Sequence, residues 1–209
     1  QIGLDVALQA LHEAELRGAN NTKLLRAAAL LEQRRFDEAR DTLDLTTPLA
    51  AALSCVLFAA QSDGKAAHEA IIAAAEAYGV GTKAYAAVGV MHQATEFLLE
   101  YSLTSTAARA LALATRAKAT ADARAAMHSK PPAPPSVEGR HLRLQAKLRL
   151  ATGDLEAATE LAASACETDD IPALAAHGDA LFARGRLEAA VEPYAAAISK
   201  RQRGRVPLQ

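Results

Sequence analysis

Residues 146–158 read AKLRLATGDLEAA, and residues 178–190 read GDALFARGRLEAA. Aligned at a constant offset of 32, Gly153 falls on Gly185 and Leu155 on Leu187. Glu156-Ala157-Ala158 falls on Glu188-Ala189-Ala190, and further on Ala165 falls on Ala197. Self-similarity at a period of roughly 20–50 residues marks a repeat architecture. Each matched residue has a physical task. The glycine permits a tight turn between two helices, the leucine beyond it plugs the base of the hairpin, and the alanines let the two helices approach closely.

Outward from this stretch, helical periodicity dominates. Leu4, Leu8 and Leu11 form the stripe of a first helix, which Gly18 and Asn20-Asn21 end. Thr22 opens a second helix carrying Leu24, Leu25, Leu30 and Leu31, and a short one with Phe36, Ala39 and Leu43 follows Arg35. Thr47-Pro48 is a helix start, Thr as N-cap and Pro at the first helical position. That helix runs to about Gln61, where Ser62-Asp63-Gly64 breaks it. The next spans 65–78, Gly79-Val80-Gly81 stops it, and Thr82 caps a successor holding Tyr85, Val88, Met91, Phe97 and Leu98. After a break over 102–105, a long Ala-rich helix extends to about His128. Residues 129–136 read SKPPAPPS; proline lacks the amide donor and clashes with the preceding turn, so this stretch is expected to be a linker or loop. Two more helix pairs follow, split at Gly153 and Gly185, and a basic tail closes the chain. The sum is about ten helices joined by short breaks.

Composition agrees. The chain has 209 residues, of which 51% are hydrophobic but only 4% aromatic, and none is Trp. Alanine makes up about a quarter. A β-sandwich needs β-branched and aromatic strands, and a disordered chain has too little to bury, so both are excluded. The net charge of -1 gives no global field for nucleic acid or an acidic membrane. No apolar run reaches the roughly 18–20 residues of a spanning helix. Cys55 and Cys166 are too few for a disulfide framework and are read as buried thiols, with a reducing compartment as the default. The chain begins at Gln1 rather than Met, as expected of a processed product or a segment of a longer protein.

On these residues the chain resembles the tetratricopeptide repeat (TPR) family. In the unit from Ile171 to about Gln202, Leu174 stands at the usual large apolar position, Gly178 at the small position of the first helix, and Leu181 and Phe182 at the next large ones. Ala190, Tyr194 and Ala197 take the small, aromatic and small positions of the second helix. Arg35-Phe36-Asp37-Glu38-Ala39 is similar to the same turn, and the stretch from Gly64 to Ala77 is so more loosely. The 32-residue offset is shorter than the family's usual period of about 34, and Pro193 inside the last helix is expected to kink it or remove one hydrogen bond. The resemblance implies an all-α, right-handed α-solenoid of about five antiparallel helix hairpins. Its expected parts are N-terminal hairpins over 1–128, the Pro-rich segment 129–136, two repeats over 137–202 and the tail 203–209.

Chemistry is sparse. His12, His68, His92, His128, His141 and His177 have no partner at metal-ligand spacing and are read as surface or half-buried helix residues. No Gly-x-Ser-x-Gly elbow, phosphate-cradling loop or dinucleotide fingerprint occurs. Asp169-Asp170 reads as a helix-start signal before Ile171-Pro172. Arg109, Arg116 and Arg124, with Lys118, form a basic strip without interleaved aromatics for base stacking, and read as a solvated face. No catalytic residue, cofactor or metal is expected. The resemblance implies a concave groove lined by first helices, holding a peptide or partner helix. In the last two units its clamp positions hold Arg143 and Lys147, then Ala175 and Asp179, without the Asn residues of chaperone-binding relatives. The expected function is a non-catalytic protein–protein interaction scaffold, part of a larger protein or assembly, with other proteins as partners and neither nucleic acid nor membrane. A solenoid that senses a peptide or ligand for an attached domain is the alternative. The expected setting is intracellular, cytoplasmic or cytoskeleton- and cilium-associated, and Ile2, Leu4 and Val6 make the N-terminal edge apolar.

Overall fold

The computed structural model describes residues 8–9, 22–43, 47–61, 85–168 and 171–203. Among them are nine α-helices and no strand: α1 Thr22–Glu32, α2 Phe36–Thr42, α3 Pro48–Ala60, α4 Ala86–Glu100, α5 Thr104–Met127, α6 Pro135–Ala151, α7 Leu155–Cys166, α8 Ile171–Ala183 and α9 Leu187–Arg203. The protein is all-α. The chain divides into two compact units, Gln1–His128 and Ser129–Gln209. The Leu4–Leu11 helix, the 65–78 helix with its flanking breaks, the Thr82 cap, Asp169-Asp170 and the tail from Gly204 lie outside the described residues.

In the first unit α4 and α5 pack along each other, and α3 touches both. α1 packs on α2 and reaches α3 and α5. Leu30, Leu31, Leu53, Leu57, Met91 and Leu98 are fully buried, and each such side chain contributes about 1.5–3 kcal/mol of burial free energy. α5, a helix of 24 residues, buries Ala107, Ala110, Ala114, Ala117, Ala121 and Ala125, with Leu111 and Leu113 as the large side chains among them. Thr47 caps α3 as its sequence signals: its Oγ1 accepts from the Ala50 amide at 3.1 Å, with Pro48 at the first turn. His92, expected at the surface or half-buried, is buried among the helices of this unit.

In the second unit α6 packs on α7, α7 on α8, α8 on α6, and α9 on α8. Its core is built from small residues: Ala146, Ala158, Ala162 and Ala180 cluster together, with Leu150 and Leu161 against them. α6 starts at Pro135, so the last two residues of the Pro-rich segment are helical rather than loop. The reason is positional: Pro135 occupies the first turn, where no amide donor is needed, and Pro134 precedes it at φ -53, ψ 143. Pro193 is accommodated inside a single continuous α9. His141, expected at the surface or half-buried, is also buried, its ring 3.4 Å from the Gln145 amide nitrogen one turn on.

Four helix–helix connections share one geometry. At Arg34, Ser102, Gly153 and Gly185 φ is 62, 58, 84 and 74°. The amide of the next residue reaches back to the carbonyl five residues earlier: Arg35 to Leu30 at 2.9 Å, Leu103 to Leu98 at 2.9 Å, Asp154 to Arg149 at 2.9 Å and Arg186 to Leu181 at 3.0 Å. These are Schellman C-caps, which satisfy the last carbonyls of the preceding helix. The residue that closes each one also starts the next helix, its carbonyl accepting from the amide of Ala39, Ala107, Ala158 or Ala190. All four alanines are buried. One residue therefore ends one helix and begins the next, and the alanine one turn later seats the new helix on the old.

Candidate protein-binding face

The four residues expected to line a groove, Arg143, Lys147, Ala175 and Asp179, lie on α6 and α8, which touch each other. They differ in what they offer. Arg143 is only 8% exposed, its side chain enclosed by the unit rather than presented on it. Lys147, one turn on, and Ala175 are half-buried, whereas Asp179 is exposed. The Asp179 carboxylate accepts the Tyr194 hydroxyl at 2.6 Å, tying α8 to α9. Burial, and then the bond to Asp179 and its charge, push the Tyr194 hydroxyl up to about 12. Its ring lies over Gly178, and a methyl group there would sit 2.6 Å from Cε1. The polar groups on this face are thus a half-buried lysine and a carboxylate engaged by tyrosine.

Several other polar groups are built into helix packing. Tyr85 donates to Asp122 at 2.7 Å, and Lys118 pairs with the other carboxylate oxygen at 3.0 Å; burial first, and then Asp122, raises the Tyr85 hydroxyl above its ordinary value. Of the basic strip on α5, Arg116 and Arg124 are exposed, while Lys118 and Arg109 are half-buried. Cys55 is buried, its thiol pushed up to about 11 by burial and donating to the Ala51 carbonyl at 3.0 Å, so it is a neutral packing group. Cys166, expected to be buried, is half-buried because it sits at the C-terminal end of α7. Burial lowers His177 despite the opposing Glu192 charge, which keeps that ring neutral near pH 7. Among the described residues no three His, Cys, Asp or Glu side chains gather as a metal site, and no helix is long and apolar enough to cross a membrane.

Sequence reasoning missed one connection of long reach. The Glu32 carboxylate, at the end of α1, accepts from the amides of Ser105 and Thr106 at 3.0 and 2.7 Å and from the Thr106 hydroxyl at 2.5 Å. It caps the N-terminus of α5 from 74 residues away, where free amides and the helix dipole favour an anion. No local pattern announces such a cap. Compared with known proteins, the chain matches no protein-family model, and no curated protein or solved structure matches it significantly.

Proposed function

We propose that this chain is a non-catalytic interaction scaffold, a TPR-like α-solenoid whose helix pairs present first-helix faces to another protein. The observation that carries the reading is the connection shared by Arg34, Ser102, Gly153 and Gly185, with its buried alanine one turn into each following helix. A module used four times, in two units, is how a repeat array is built. The spacing between Arg34 and Ser102 is 68 residues, two periods of about 34. In the second unit, each helix packs on the next and α8 also packs on α6, the contact order that stacked antiparallel hairpins require. The Gly178–Tyr194 contact puts a small first-helix residue under a second-helix aromatic, as the resemblance implies. The partner is another protein, met in an intracellular setting consistent with two free cysteines.

The test is affinity capture from native lysate with the intact chain and with a Lys147→Glu variant, read by mass spectrometry. Retention of a defined protein set in fixed stoichiometry, lost in the variant while its circular dichroism is unchanged, supports the scaffold and locates its face. If nothing is retained at moderate salt, the reading fails.

A further inference from the structure

Between α5 and α6 the chain reads Ser129-Lys130-Pro131-Pro132-Ala133-Pro134 before the helix opens at Pro135. Ser129, Lys130, Pro131 and Pro132 are exposed, and Ala133 and Pro134 are half-buried. A pyrrolidine ring fixes φ at about -65°, and a following proline holds the residue before it extended. Prolines therefore set every backbone joint between Lys130 and Pro134 except the one from Pro132 to Ala133, where the chain bends. Pro134 stands at φ -53, ψ 143, in the polyproline II region. That conformation has no internal hydrogen bonds, so its carbonyls stay open to an outside donor. Among the described residues, no hydrogen bond reaches the carbonyl of Lys130, Pro131 or Pro132. With their rings already fixed in the free chain, these prolines lose little conformational entropy on docking.

We propose that this segment is the ligand of a proline-recognising protein domain, whose groove is lined by aromatic rings and rimmed by carboxylates. Polyproline II has about three residues per turn, so straightening the one free joint puts Pro131 and Pro134 on a single edge. Lys130-Pro131 and Ala133-Pro134 then fill two neighbouring slots between the partner's rings. The open carbonyls accept from indole or phenol donors in the groove, and the exposed Lys130 ammonium meets the acidic rim. The bend at Ala133 and the partial cover of Pro134 must be given up, so the binding is weak. This contact is separate from the first-helix faces of α6 and α8.

The chain contains no Trp, so the groove tryptophan of an added SH3, WW or EVH1 domain reports binding by its fluorescence without background. Titration of the full chain into representatives of these three domain types tests the proposal. The expected result is saturable binding to at least one of them. Pro131→Ala weakens that binding by about tenfold, the worth of two methylene groups withdrawn from a pocket. Lys130→Glu weakens it more at low salt than at high salt, because the rim contact is screened. Pro172→Ala, at an exposed proline in the first turn of α8, leaves it unchanged. Lys130 and Pro131 lie outside the helices, and circular dichroism checks that each variant folds. No binding to any of the three domain types, binding indifferent to Pro131→Ala, or an equal loss with Pro172→Ala overturns the proposal and leaves the segment a spacer.

Discussion

A methyl group added at Gly178 reads out the closeness of α8 and α9. It would lie 2.6 Å from Cε1 of Tyr194 and 2.7 Å from Cδ1 and Cζ, whereas carbon atoms rest at about 3.5–4.0 Å. The ring must therefore move by about 1 Å. It cannot swing aside alone, because its hydroxyl is bonded to Asp179 at 2.6 Å. Overpacking of this kind costs about 1–3 kcal/mol, and replacing Gly by Ala inside a helix returns about 1 kcal/mol. Gly178→Ala is then expected to destabilise by about 1 kcal/mol. In a Tyr194→Ala background the clash is gone and the same change stabilises by about 1 kcal/mol, a coupling of about 2 kcal/mol, within the range of contacting residues. The first repeat already contains that solution, because the equivalent positions are Ala146 and Ala162, both buried in one cluster. Urea denaturation of the four proteins, followed by far-ultraviolet circular dichroism, measures the cycle. A Gly178→Ala single variant more stable than the parent, or a coupling indistinguishable from zero, refutes the close contact.

The shared turn predicts opposite signs for opposite exchanges: Gly153→Ala and Gly185→Ala meet open space yet lose about 1 kcal/mol to the left-handed backbone, while Arg34→Gly and Ser102→Gly relieve strain and are neutral or stabilising in the same assay. Glu32→Ala leaves the Ser105 and Thr106 amides without their carboxylate, costs about 1–3 kcal/mol, and speeds hydrogen exchange at those two amides first. Tyr194 titrates at about 12 in the folded chain against an ordinary value of 10.0; a raised value means its contribution is complete below pH 10 and is lost as pH rises through about 12. Asp179→Asn should bring the Tyr194 step in the ultraviolet titration down toward the ordinary value, and an unchanged titration curve would remove the Tyr194–Asp179 bond from the account.

Helices were legible wherever a local cause forms them. The Thr47-Pro48 start is complete within one turn, and the Gly153 and Gly185 turns are written in residue type. Arg34 and Ser102 adopt the same backbone with side chains that do not advertise it; only Arg35-Phe36-Asp37-Glu38-Ala39 hinted at one of the two, and Ser102 was visible only as a break. Pro135 was misread because proline opposes a helix interior but suits its first turn. At the candidate site, spacing places Arg143 and Lys147 one turn apart, yet cannot tell that the first is enclosed and the second half-covered. On α9, Leu187, Val191 and Ile198 have the period of a core face, and only their solvent exposure distinguishes them from one.

The bond from Glu32 to α5 has a kinetic consequence. In the second unit the main helix contacts join elements adjacent, or next but one, along the chain, so α6–α9 assemble through short loops. Bringing Glu32 to Thr106 closes a loop of 74 residues, which carries an entropic cost of roughly 4 kcal/mol. Native contacts of that span form after local ones. The N-terminal unit is then expected to fold the more slowly of the two, with Glu32 acting as the latch that shuts last and, on the way out, the first to be tried.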